Sequence, residues 1–196
     1  MLFRPEEIRR EEEEPGFEQP GALHVAGDVR FVVGRKKVDL NELVGELVHD
    51  EHVHIPSMGS WSMHHALAYV LRTTGPADVW ITSWSITEEP IALLVEHMER
   101  GVITQLRALF SERVEAMNPR GHALARFNLQ VGLAKIHAKT AVVINDAWGV
   151  SIKGSANFTR NPRIENYVIC THRKVAEADR DWIDAVLQGS DPFEAP

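Results

Sequence analysis

A single cysteine, Cys170, is all this 196-residue chain carries, so no disulfide can form within it. Its setting, Tyr167-Val168-Ile169-Cys170, is that of a buried strand residue behaving as a small apolar side chain. No apolar run approaches the ~20 residues of a membrane helix, so no integral membrane segment is expected. The start, Met1-Leu2-Phe3-Arg4-Pro5, lacks the charged head and apolar centre of a secretory signal, and a cytoplasmic location is expected. Excess positive charge is missing too: the net charge is -7, which argues against a broad nucleic-acid-binding surface. No cysteine cluster or H-E-x-x-H accompanies the histidines at 52, 54, 64 and 65, so neither a metal nor another cofactor is expected. What remains is an ordinary globular composition, 44% hydrophobic and 25% charged, long enough for one domain with a sizeable core.

Chemistry concentrates between Lys135 and Asn166. Alternation places His137 and Lys139 on one face of a strand, and Thr140 to Ile144 continues it as a β-branched apolar run. Asn145 to Gly149 reads as a hairpin turn, and Val150 to Lys153 returns as the partner strand. That return delivers Gly154-Ser155-Ala156-Asn157 beside His137 and Lys139. The set suits a phosphodiester: Lys139 offsets its charge, Ser155 and Asn157 donate hydrogen bonds, and His137 is a nucleophile for phosphorus.

These residues resemble the HKD motif of the phospholipase D superfamily, H-x-K-x4-D followed by G-S-x-N. His137, Lys139, Gly154, Ser155 and Asn157 fall on the family positions, and Glu165, before Asn166, is similar to the acidic residue that orients the catalytic histidine. The family's aspartate position is Ile144 here, and the nearest acid, Asp146, is taken as its displaced counterpart, structural together with Gly154. An H-x-K alone is matched easily by a core histidine and a solvated lysine; the G-S-x-N and the Glu-Asn pair make the resemblance specific. It spans about Ala66 to Leu187 and implies catalytic roles for His137, Lys139, Ser155, Asn157 and Glu165. Of the cations gathered near the motif, Lys135, Lys153 and Arg160 are expected to bind substrate.

The rest of the chain is read in the same terms. Residues 1–21, with the run Glu11 to Glu14, form an acidic arm without a packing pattern; a domain of residues 22–189 and a tail of 190–196 follow. Helical spacing is expected over Leu40 to His49, Met63 to Arg72 (capped by Ser60 or Ser62), Glu88 to Arg100, Ser111 to Met117 and His172 to Leu187. Asn118-Pro119-Arg120-Gly121 is read as a helix stop. Strands are expected over Ala22 to Gly34, at His52 to Ile55, Asp78 to Trp84 and Val102 to Phe110, with Phe127 to Leu133 as an edge strand or an irregular segment. Trp80, Trp84 and Trp148 are candidates to stack on bases; for Trp80 and Trp84, on a core strand, packing is the preferred reading, and Trp148 is placed at an exposed turn near substrate. Alternating strands and helices give an α/β fold, and with the resemblance a phospholipase D-like α/β/α sandwich, its mixed sheet flanked by helices.

The chemistry that the resemblance implies uses two histidines across one phosphate, and this chain has one H-x-K with a G-S-x-N and no internal repeat. A homodimer that shares one active site across a twofold axis is therefore expected, each copy bringing one motif. The leading reading is a metal-independent endonuclease acting on nucleic acid. The alternatives are a phospholipid hydrolase or phosphatidyl transferase, for which no amphipathic anchor is seen, and a non-catalytic DNA-binding or assembly module.

Overall fold

The computed structural model describes residues 26–34, 38–160 and 163–189. The acidic arm, the C-terminal tail and the first residues of the Ala22 to Gly34 strand lie outside them. In chain order the elements are β1 (Asp28–Phe31), α1 (Leu40–Val44), β2 (Glu51–Pro56), α2 (Met63–Thr74), β3 (Ala77–Ser83), α3 (Glu88–Glu99) and β4 (Ile103–Ser111). They continue as α4 (Val114–Met117), α5 (Pro119–Asn128), β5 (Gln130–Ala134), β6 (Thr140–Ile144), β7 (Gly149–Gly154), β8 (Asn166–Cys170) and α6 (Arg173–Leu187).

All eight strands join one mixed sheet in the order β1-β2-β8-β7-β6-β3-β4-β5. The pairings β1–β2, β3–β4 and β4–β5 are parallel, and those involving β6 and β8 are antiparallel. Six strands therefore run one way and only β6 and β8 the other. Helices cover both faces, unequally. Leu40, Leu67, Ile91, Val114 and Ala125, from α1 to α5, pack in one core with Ile81, Val143 and Ile152 of the sheet. On the other face, among the described residues, α6 alone packs Ala176 and Ile183 against Trp80, Leu109 and Val142. Ile81, Val143 and Ile152 have no exposed surface, and burying each contributes roughly 1.5–3 kcal/mol. Beyond the reach of α6, Val29 and Phe31 of edge strand β1 stay 71% and 68% exposed.

The helix expected from Ser111 begins at Val114, because β4 runs on through Ser111; two further boundaries differ from the sequence expectation, each for a local reason. The helix expected over Leu40 to His49 ends at Val44, because Gly45 takes φ 74° and returns its N–H to Asn41 O at 2.9 Å. At Asn118-Pro119 the chain starts a helix instead of stopping one: Pro119 occupies the first turn of α5, where its missing N–H costs nothing. Phe127 to Leu133 resolves into the end of α5 and the edge strand β5. Between α2 and α3 lies a cavity of about 220 Å³, lined by His64, His65 and His97 with Leu67, Ala68, Leu93 and Leu94.

Candidate active site

Because six strands share a direction, the carboxyl ends of β1, β2, β3, β4, β5 and β7 fall on one edge of the sheet, where β6 and β8 begin. Carboxyl ends of strands in an open α/β sheet are where such folds place their ligands. The register decides which residues meet there. Thr82 pairs with Thr140, so the loop leaving β3 lies beside the coil entering β6. Gly154 donates its N–H to Lys139 O at 3.1 Å, so the loop leaving β7 joins them. Pro56 pairs with Asn166, which sets Ser57 beside Glu165.

His137 and Lys139 are not in a strand: they occupy the coil between β5 and β6, and the ladder begins at Thr140. They still meet. Lys139 Nζ donates to His137 O at 2.7 Å and stands 2.9 Å from His137 Nδ1. His137 itself is exposed, whereas Lys139 is only 8% exposed. Burial pulls the Lys139 ammonium below the usual lysine pKa, and the nearby Glu165 carboxylate opposes that shift. A cation held this way, with few waters to share it, is suited to meet an incoming anion.

Ser155, Asn157 and Glu165 are tied into the same edge. The Ser155 hydroxyl donates to Glu165 Oε2 and accepts the Asn166 N–H at 3.0 Å. Glu165, 9% exposed, is clamped through its backbone: its N–H donates to Ser57 Oγ at 3.0 Å, and its carbonyl accepts from Ser57 N–H at 2.7 Å. Asn157 Oδ1 accepts the Ser85 N–H at 3.2 Å, which spends its acceptor inside the protein. Its amide group has no acceptor among the described residues and is left to donate to an anionic oxygen. Gly154 is held close by necessity, since a Cβ there would lie 2.6 Å from Asn166 O.

Other predicted residues stand elsewhere. Lys153 pairs with Thr140 and faces α6, where it forms an ion pair at 2.9 Å with the buried Asp179, so its charge is committed within the fold and it does not join the set. Arg160 is exposed and reaches Glu89 at 3.8 Å. Lys135 is exposed on the coil that leads to His137. Asp146 and Trp148 belong to the turn joining β6 to β7, at the opposite edge of the sheet. The side chain that ties this hairpin is Asn145, whose Oδ1 accepts the Ala147 and Trp148 N–H groups and whose Nδ2 donates to Thr74 O and Pro76 O. Asp146 is exposed, and Trp148 stacks on His49 with ring centroids 3.9 Å apart, away from the candidate site. Among the described residues, no group of three or more His, Cys, Asp or Glu is placed to hold a metal ion.

Four contributors lie outside the expected site residues. Ser57 anchors Glu165. Ser83, buried at the end of β3, donates to Ser85 O at 2.6 Å and accepts the Phe158 N–H at 3.2 Å, fixing the loop that carries Asn157. Ser85 supplies the N–H that holds Asn157 and meets Asn118 Nδ2 at 3.4 Å. Trp84, half-buried, sets its ring 5.6 Å from that of His137. Position alone hints at three of them: Ser83-Trp84-Ser85 lies at the end of a core strand.

No protein-family model and no curated protein matches this sequence. Solved structures do. The phospholipase D family member Nuc from Salmonella typhimurium superposes with a TM-score of 0.50 at 21% identity, over 66% of this chain and 91% of that one. Polyphosphate kinase from Porphyromonas gingivalis gives 0.53 at 13% identity, over 74% of this chain and 27% of the kinase. The archaeal chromatin protein TrmBL2, described with a novel mode of DNA binding, gives 0.51 at 9% identity, over 74% and 54%. The mixed eight-stranded sheet flanked by helices is therefore a phospholipase D-like fold.

Proposed function

We propose that this chain is a metal-independent phosphodiesterase that cleaves nucleic acid at a site shared by two copies. The observation that carries the reading is the convergence of His137, Lys139, Ser155, Asn157 and Glu165 at one sheet edge, with a buried ammonium 2.9 Å from an exposed imidazole. The likeness to Nuc supports the same chemistry on the same fold.

In this reading a ring nitrogen of His137 attacks phosphorus. The N–P bond forms as the bond to the leaving oxygen breaks, and the partner's His137 protonates that oxygen. The same partner imidazole then takes a proton from water; the resulting hydroxide attacks phosphorus, and the N–P bond breaks to release a phosphate monoester. Lys139 and the Asn157 amide neutralise and bind the non-bridging oxygens, whose charge grows in the transition state. Glu165 orients the imidazole, itself positioned by Ser57 and Ser155. No step calls on a metal.

Purified protein incubated with single- and double-stranded DNA in excess EDTA, beside His137→Ala, tests the proposal. Cleavage that survives EDTA and vanishes in the variant is expected; activity that persists in His137→Ala would refute it. The shared site has its own readout. Adding excess His137→Ala protein under conditions of subunit exchange should suppress wild-type activity well beyond dilution, because a mixed dimer holds one histidine.

A further inference from the structure

Five tryptophans occur in the chain, and four are occupied. Trp61, Trp80 and Trp182 spend their indole N–H groups on Val38 O, Asp184 and Asp179 respectively, and Trp148 stacks on His49. Trp84 differs. It sits directly after the last residue of β3 on the functional edge, is half-buried, and has no acceptor for its indole N–H among the described residues. Its ring neighbour is His137, 5.6 Å away and tilted by 53°, so the indole stands beside the nucleophile without covering it.

Charge makes this placement informative. The protein carries a net charge of -7, and two of the three cations expected to grip a phosphate backbone face carboxylates instead, Lys153 with Asp179 and Arg160 with Glu89. Part of the backbone electrostatics that usually supply affinity for a duplex is therefore offset within the fold, Lys153 most of all. An aromatic ring supplies affinity of another kind, because every base has a face to stack, whatever the sequence. Bases in a duplex already stack on one another; only in an unpaired strand are they free to turn onto a side chain.

We propose that Trp84 is the platform on which the nucleobase adjoining the scissile phosphate stacks, and that the substrate is single-stranded nucleic acid. This rests on the phosphodiesterase reading for the position of the phosphate, and it names what lies beside it. A lipid headgroup offers no ring to the indole, and a duplex offers none that is free.

The test uses full-length protein and two single-stranded oligonucleotides, one normal and one abasic on both sides of the scissile bond. Binding is measured in the His137→Ala background, so it does not depend on cleavage. Adding Trp84→Ala should weaken binding of the normal strand about tenfold or more and of the abasic strand less than threefold. Trp84→Phe, which keeps a ring and fills most of the space, should restore most of the affinity. In otherwise wild-type protein the same pattern should appear in kcat/KM, mainly through KM. Equal losses on both strands would make Trp84 a support for the His137 ring and overturn the proposal, as would unchanged binding of the normal strand. Absence of cleavage by wild-type protein with the binding difference intact would sink the catalytic reading and leave the stacking platform standing.

Discussion

Replacing Ser57 by alanine removes one hydroxyl and little packing volume, which makes it a sensitive probe of how the fold holds its site. Ser57 is fully buried, and its Oγ accepts two backbone N–H groups, from Glu165 at 3.0 Å and from Gly59 at 3.2 Å. The Glu165 N–H is buried, and leaving it unpaired costs about 1–3 kcal/mol; Gly59 is nearer the surface, where water replaces much of the loss. A total of about 2–3 kcal/mol shifts the melting temperature of a domain this size by roughly 5–10 °C. The urea midpoint should fall with its slope unchanged. Activity should fall about tenfold as well, because Glu165 loses an anchor next to Ser155 and Lys139. Thr171→Val is the control. Thr171 is equally buried, its hydroxyl accepts the Glu51 N–H at 2.9 Å and donates to Val48 O at 2.7 Å, and it sits just past β8 at the opposite sheet edge. It should cost similar stability and leave cleavage near wild type at a temperature where all three proteins are folded. Equal activities for the two variants, or a Ser57→Ala protein as stable as wild type, would refute the reasoning.

Lys153→Met should leave cleavage within about threefold and lower stability by about 1 kcal/mol in urea unfolding, since its exposed half discounts the ion pair and Asp179 keeps the Ser151 and Trp182 donors. Asn157→Asp keeps an acceptor for the Ser85 N–H but removes the amide donor and adds a negative charge; cleavage should drop about 100-fold with the melting temperature moved by no more than about 2 °C. His64 is 6% exposed, and burial, helped by the charge of His65, pushes its pKa down to about 3 from 6.5. Between those values the unfolded chain binds a proton that the folded one does not, so stability falls as pH drops from 6.5 toward 3, with a slope approaching about 1.4 kcal/mol per pH unit. His64→Leu should flatten that slope in urea titrations run at a series of pH values; an unchanged slope would mean His64 is not the group responsible.

The fold and the candidate set are legible where the chain encodes them locally. Thr140 to Ile144 is β-branched, Gly154-Ser155-Ala156-Asn157 comes after its hairpin at short range, and strands alternate with amphipathic helices, so the layered architecture can be inferred from the residues alone. Gly45 hides its helix stop because Leu47 and Val48 continue the apolar spacing beyond it; one positive φ outweighs that pattern. Pro119 is ambiguous because proline marks both ends of helices, and only the backbone distinguishes them. The partners of the supporting serines leave no trace in the sequence. Ser57 meets Glu165 across 108 positions and Ser83 meets Phe158 across 75, and a lone serine at the end of a strand says nothing of such a partner. Lys153 misleads for the opposite reason: it is near the motif in sequence, but the pleat turns it to the other face, toward a carboxylate on α6.

The pairing of β2 with β8 also governs the order in which this molecule becomes itself. Joining Ser57 to Glu165 closes a loop of 108 positions, an entropic cost on the order of 4 kcal/mol by chain-closure scaling. Neither strand can recover that cost alone, so the contact belongs to the late, non-local part of folding. The β6–β7 hairpin closes over a few residues and can form from its own neighbours, but the clamp on Glu165 cannot exist until the chain has been made well past Asn166. A chain truncated before β8 would thus be a scaffold whose proposed centre lacks the Ser57–Glu165 clamp.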